Sequence, residues 1–176
     1  NNLTRIKKRE FLSEDDVTYI TVHEIFKSNK IQNISVSYPG AQSDTPILPE
    51  KDSGRSQKRI YIDNIGKKKE YLILQENKGI FSKSSIKNDI DKISLFNNNE
   101  SYKKAVIRFQ ENNVLNTKKI ILGVGFGMPK NNDLEISTIG IEKIDYFVVI
   151  DSKMTYWKLY SNTSEKLFKV KNGSLN

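Results

Sequence analysis

The sequence predicts an α+β domain in which a mixed or antiparallel sheet is flanked by helices. Three observations carry that expectation. Residues 31–38 alternate Ile34, Val36 and Tyr38 against Asn33, Ser35 and Ser37, the period of a half-buried strand. Residues 118–126 alternate more strongly, with Ile120, Leu122, Val124 and Phe126 on one face. Between these two stretches, Tyr102, Ala105, Val106 and Phe109 fall at i, i+3, i+4 and i+7, the apolar stripe of a helix. At 176 residues the chain has the length of a single domain with a sizeable core, and no repeat divides it.

Taken in order, residues 1–12 carry Arg5, Lys7, Lys8 and Arg9 with little pattern. Ser13, Glu14, Asp15 and Asp16 form a capping-box signal that opens a helix reaching about Ser28, with Asn29 as its stop. The β-branched run from Val17 to Val22 argues for a strand instead, and the cap decides for the helix. On that helix Glu24 shares a face with Val17, Ile20 and Thr21, either as an edge residue reaching solvent or as a site carboxylate. Residues 39–57 are a long polar segment with Pro39, Pro46 and Pro49, of a length that is usually functional or disordered.

Residues 58–78 read as two strands around a turn. The second, 70–78, runs apolar from Tyr71 to Leu74 and then turns polar at Gln75, Glu76, Asn77 and Lys78. Ser84 or Ser85 then caps a short helix bearing Ile86, Ile90 and Ile93, and Asn97–Asn99 breaks it. A second helix begins at Asn99 or Ser101 and ends at Asn112 and Asn113. In strand 118–126 the alternate face holds Gly123 and Gly125, with Gly127 following. No helix follows to make this G-x-G-x-G a phosphate loop, so these glycines admit a neighbouring helix or aromatic ring close to the sheet. Residues 128–133 form a turn, and 134–139, 146–150 and 156–160 complete an antiparallel run. Phe168 and Val170 suggest a last short strand. The aromatics Tyr146, Phe147, Tyr156, Trp157 and Tyr160 read either as core and cross-strand pairs or as base-stacking groups.

Composition narrows the chemistry. The net charge of +8 favours polyanions, although an AT-rich coding sequence enriches Lys, Asn and Ile in the same way. The absence of cysteine excludes disulfides, thiolate zinc sites and a thiol nucleophile. With His23 as the sole histidine, no multi-histidine zinc site is possible. An enzyme built from this chain must use carboxylates, lysines and a hard cation. No apolar run approaches the roughly 18–20 residues that span a membrane. The first residue is Asn1, which suggests a processed product or a piece of a longer chain.

Side chains two apart on a strand share a face, so Glu76 and Lys78 point the same way. With Asp63 or Asp52 upstream they are the one constellation that suggests metal chemistry. A turn over residues 66–69 sets Asp63 opposite Ile73, about 10 Å from Glu76, unless a bulge shifts the register. A turn over 63–66 instead brings Asp52 beside Glu76.

The pattern Asp63…Glu76-Asn77-Lys78, set in the order helix, three strands, helix, strand, resembles the PD-(D/E)xK superfamily of restriction-endonuclease-like proteins. The resemblance implies an αβββαβ core, here with C-terminal strands added. It implies Mg²⁺ held by Asp63 and Glu76, with Asp52 as the other candidate aspartate, and Lys78 positioning or activating the attacking water. Glu24 would be the assisting glutamate of the first helix. It further implies a DNA endonuclease that acts as a homodimer in the cytoplasm. Lys67–Lys69, Lys103, Lys104, Arg108, Lys118 and Lys119 are candidate contacts to the DNA backbone. The competing expectation is a non-catalytic extracytoplasmic binding domain of a Gram-positive membrane protein or lipoprotein. The two part at Glu76 and Lys78: a nuclease needs them convergent with an aspartate, whereas a binding module leaves them scattered.

Overall fold

The computed structural model describes residues 12–37, 46–49, 59–128, 139–151, 153–162 and 167–175. Among these, α1 covers Glu14–Ile20 and continues through a wider π-helical stretch, Thr21–Phe26. Strand β1 (Gln32–Val36) follows, then β2 (Asn64–Lys68) and β3 (Tyr71–Lys78). Helices α2 (Lys83–Asn98) and α3 (Glu100–Asn112) come next. Strands β4 (Lys119–Gly127), β5 (Tyr146–Ile150), β6 (Tyr156–Ser161) and β7 (Asn172–Ser174) complete the chain. The result is α+β, with one mixed sheet whose strands lie in sequence order.

The cap does what its residues promise. The Asp16 amide donates to Ser13 Oγ (3.2 Å) and the Ser13 amide to Asp16 Oδ2 (2.8 Å), satisfying two of the donors a helix start leaves orphaned. Val17 and Ile20 are then fully buried against the sheet, and that burial outweighs the β-branched reluctance of the run. Asn29 ends the helix by donating to the Ile25 carbonyl and pins Val170 of the distant C-terminal segment on both backbone groups.

Strands β1, β2 and β3 pair antiparallel; β3 and β4 run parallel, joined by a crossover through α2 and α3. Strand β5 is parallel to β4, so the expected antiparallel run begins only at β6. The intervening residues 139–145, with a short 3₁₀ turn at Ile141–Lys143, bring the chain back to the same end of the sheet. The expected strand over 134–139 falls almost wholly outside the described residues. The last strand lies at Asn172–Ser174 rather than around Phe168, because Phe168 is buried against Tyr146 with ring centroids 4.6 Å apart.

Helix α2 is longer than expected, starting at Lys83, and Asn99 both closes it and caps α3 by accepting from the Ser101 and Tyr102 amides. Two cores result, one on each side of the sheet. Leu72, Leu74, Leu122 and Val124 meet Ile86, Ile90 and Ile93 of α2 on one face. Ile73, Ile121, Tyr146 and Val148 meet Val17, Ile20 and Phe26 on the other.

The hairpin turn is tighter than the expected 66–69 turn. Lys68 pairs with Tyr71, so Lys69 and Glu70 alone make the turn, with Lys69 at a φ of +53°. Asn64 therefore faces Gln75, and Asp63, one residue earlier, comes level with Glu76.

Candidate functional site

Residues Leu72–Asn77 of β3 are all buried, including the polar trio Gln75, Glu76 and Asn77. A buried polar group is costly unless hydrogen-bonded, and the alternation of the strand sends the trio into two separate networks.

Gln75 and Asn77 face α1. Gln75 Nε2 donates to Thr21 Oγ1 (2.8 Å) and Asn77 Oδ1 (2.7 Å), while the Tyr146 hydroxyl donates to Gln75 Oε1 (2.6 Å). Asn77 Nδ2 donates to Thr18 Oγ1 (2.9 Å) and Asn64 Oδ1 (2.6 Å). This network lies flat on β4 because that strand offers no side chains there. A Cβ at Gly125 would sit 2.6 Å from Asn77 Oδ1, and one at Gly123 would sit 2.2 Å from the Tyr146 ring. The close approach expected of these glycines is thus present, by an aromatic ring at Gly123 and by Val17 of α1 at Gly125.

Glu76 and Lys78 project from the opposite face, toward α2. Glu76 is 4% exposed and Asp63 7%. Asp63 Oδ2 accepts the Asn77 amide (2.7 Å), which fixes its carboxyl beside that of Glu76. The other partner of Glu76 is Lys92 of α2, with Nζ 2.7 Å from Oε1. Lys78 Nζ lies 3.2 Å from Glu14 Oε2 at the start of α1 and 3.2 Å from Asp89 Oδ2 of α2. Four carboxylates and two ammonium groups thus close on the C-terminal end of β3.

Burial and the neighbouring Glu76 charge push the Asp63 carboxyl up to about 9, against the pull of the Asn77 amide. Burial raises Glu76 as well, although Lys92 offsets part of it. Asp89 is raised by burial despite Lys78 beside it. Burial works against charge on Lys92 and Lys78, yet Glu76 for the first, and Asp89 and Glu14 for the second, more than offset it and hold both above the ordinary lysine value. Near neutral pH Asp63 keeps its proton and both lysines are charged.

Asp63, Glu76 and Lys78 are therefore brought together. Glu24 is not among the groups that meet them: it lies ten residues further along the helix, about 15 Å of rise beyond Glu14. Glu14 is the first-helix glutamate at the site, and the sequence disguises it as one of three acids in a helix cap. Asp52 lies outside the described residues. Asp89 and Lys92 had one readable signal, a spacing of three that places both beside the Ile86–Ile90–Ile93 stripe.

The expected backbone-contacting lysines are elsewhere. Lys67, Lys68, Lys69, Lys118 and Lys119 cluster at the hairpin end of β3, about 17 Å from Glu76 along the strand. Lys68 Nζ donates to the Leu167 carbonyl, Arg108 to the Leu48 carbonyl, and Lys119 and Lys103 pair with Glu70 and Glu100. Trp157 and Tyr146 are core residues.

The carboxyls of Asp63 and Glu76 offer oxygen donors, the kind a hard divalent cation takes. The two carboxyls are adjacent and buried, and burial raises both above their ordinary values. Among the described residues no three or more carboxylate or imidazole groups form a metal-holding cluster. Two carboxylates suffice for Mg²⁺, which keeps several of its waters. No helix among the described residues is long and apolar enough to cross a membrane.

Compared with known proteins, the chain matches no family model, no curated protein and no solved structure.

Proposed function

We propose that this protein is a Mg²⁺-dependent DNA endonuclease with a restriction-endonuclease-like core. The observation that carries the reading is the convergence of Asp63 and Glu76 across the β2–β3 hairpin, with Lys78 two residues on along the same face. The order of α1, three antiparallel strands, a helical crossover and parallel β4 supports it.

Asp63 and Glu76 would hold the cation. Bound there, it supplies stabilisation of the charge that develops on a phosphodiester and a lower pKa for water. The chain's own residues do the rest. Lys78, kept charged by Glu14 and Asp89, presents an ammonium at the mouth of the site, where it positions water or a phosphate oxygen. Lys92 neutralises Glu76 while the pair is metal-free. The Asn77 amide, anchored through the Gln75–Thr21–Tyr146 network, holds Asp63 in its rotamer. Two copies related by a two-fold axis would cut both strands of a duplex.

Plasmid cleavage in Mg²⁺ tests the proposal, comparing the wild type with Glu76→Gln and Lys78→Ala at matched folding. Both variants should lose cleavage. Absence of cleavage by the wild type under any divalent metal, together with no salt-sensitive DNA binding, would refute it in favour of a binding module.

A further inference from the structure

The sheet face that carries Glu76 continues well beyond the carboxylate cluster. Lateral pairing sets Glu76, Val124, Phe147 and Tyr160 in one row across β3 to β6, and Lys78, Phe126, Val149 and Lys158 in the next. Residues of a row project from the same face. Over β3 and β4 that face packs on α2, but over β6 it is open among the described residues. Tyr156 is 52% exposed and Tyr160 39%, with exposed Lys158 between them on the strand.

These side chains are ordered by one another. The Phe126 and Phe147 rings lie 6.2 Å apart at 7°, and those of Phe147 and Tyr160 lie 4.7 Å apart at 9°. Tyr160 is the solvent end of a ladder of near-parallel rings that starts beside Lys78. Lys158 Nζ lies 4.9 Å from the Tyr160 ring centroid, and no carboxylate pairs with it among the described residues. A large exposed ring next to an unneutralised ammonium suits a ligand that alternates flat π-faces with negative charge. Single-stranded nucleic acid has that chemistry; in a duplex the base faces are already stacked on each other.

We infer that Tyr156, Lys158 and Tyr160 of β6 form a docking surface for single-stranded nucleic acid. A base stacks on Tyr156 and, by displacing Lys158 from over the Tyr160 ring, on Tyr160, which frees the ammonium to take a phosphate; the net charge of +8 complements the strand. Three inter-strand spacings, about 14 Å, separate this surface from β3, where α2 covers the same face, so the surface is a binding site in its own right. The inference goes beyond the nuclease reading: it adds a site for unpaired strand apart from a centre that would cut duplex, and binding at β6 needs neither metal nor cleavage.

The test is fluorescence anisotropy of labelled oligo(dT), oligo(U) and a duplex, in EDTA, with the Glu76→Gln chain as parent. Tyr156→Ala/Tyr160→Ala should weaken oligo(dT) binding by about tenfold or more and leave the duplex unaffected, whereas Tyr156→Phe/Tyr160→Phe should bind like the parent. Lys158→Ala should weaken binding and flatten its salt dependence by about one phosphate contact. Loss of the Phe147–Tyr160 stack should cost the alanine variant about 0.5–1.5 kcal/mol, read by urea unfolding, so binding is compared without denaturant, where both chains stay folded. Comparing oligo(dT) with oligo(U) separates DNA from RNA as the strand preferred. Unchanged oligonucleotide binding in the alanine variant overturns the inference. So does a parent that binds no oligonucleotide but self-associates through these tyrosines. Absence of plasmid cleavage with tyrosine-dependent oligonucleotide binding would refute the nuclease alone.

Discussion

Replacing Asp63 by Asn should make the metal-free protein more stable at neutral pH, although it should abolish cleavage. The native carboxyl is held up at about 9, whereas in the unfolded chain it returns to its ordinary 3.8. The folded state therefore binds a proton that the unfolded state does not, throughout that window. Stability from this group is fully present below the unfolded value and falls as pH rises through it, until the native carboxyl also ionises. At pH 7 the difference spans about 3 pH units, which at about 1.4 kcal/mol per unit amounts to as much as about 4 kcal/mol. Asn imitates the protonated carboxyl: its oxygen can accept the Asn77 amide, and its nitrogen can donate to Glu76.

Urea unfolding in EDTA, followed by the fluorescence of buried Trp157, measures the effect from about pH 4 to about pH 9. The two proteins should coincide at the acid end, and the variant should pull ahead steadily as pH rises. Added Mg²⁺ should stabilise the wild type through binding to the native state and leave the variant unchanged. If wild type and variant run parallel across the range, or the variant is the weaker at alkaline pH, Asp63 is not a proton-sharing partner of Glu76 and the proposed metal pair loses its basis.

Lys92→Ala should leave Glu76 buried without its counter-ion and cost about 1–2 kcal/mol near neutrality, discounted because the lysine end reaches solvent; the loss should vanish in acid as Glu76 takes a proton. Cleavage rate should climb with pH toward the raised Asp63 value, because a carboxyl must shed its proton to act as a ligand; a flat pH–rate profile between about 6 and 9 would contradict this. Gly123→Ala drives a methyl into the Tyr146 ring and should lower thermal stability by about 1–3 kcal/mol, read by calorimetry; a neutral effect would mean the ring can move aside.

Much of this fold was legible along the chain. The capping box at Ser13 outweighed the β-branched run after it, and α1 formed where the cap pointed. Asn29, Asn99 and Asn113 mark helix ends, and the alternation in residues 118–126 is strand β4. Glu76 and Lys78 were readable as a pair because strand period two is a local property of the backbone. In each case the deciding interactions lie within a few residues, where composition and spacing report them directly.

What needed the tertiary structure was every relation between distant segments. The hairpin register turned on whether Lys69 would adopt a left-handed φ, and that one turn decided whether Asp63 met Ile73 or Glu76. The direction of β5 depended on a crossover that sequence period cannot report. Glu14, Asp89 and Lys92 joined the site because packing α1 and α2 on opposite faces of the sheet brings the start of α1 and the middle of α2 to the C-terminal end of β3. By itself the sequence determined the three helices and the strands at β1, β3, β4, β5 and β6, that thiol and multi-histidine chemistry was closed, and that Glu76 and Lys78 shared a face. Which groups stand beside them, and that burial raises the Asp63 and Glu76 carboxyls above their ordinary values, only the packing of the sheet decided, since desolvation and charge proximity act through space rather than along the chain.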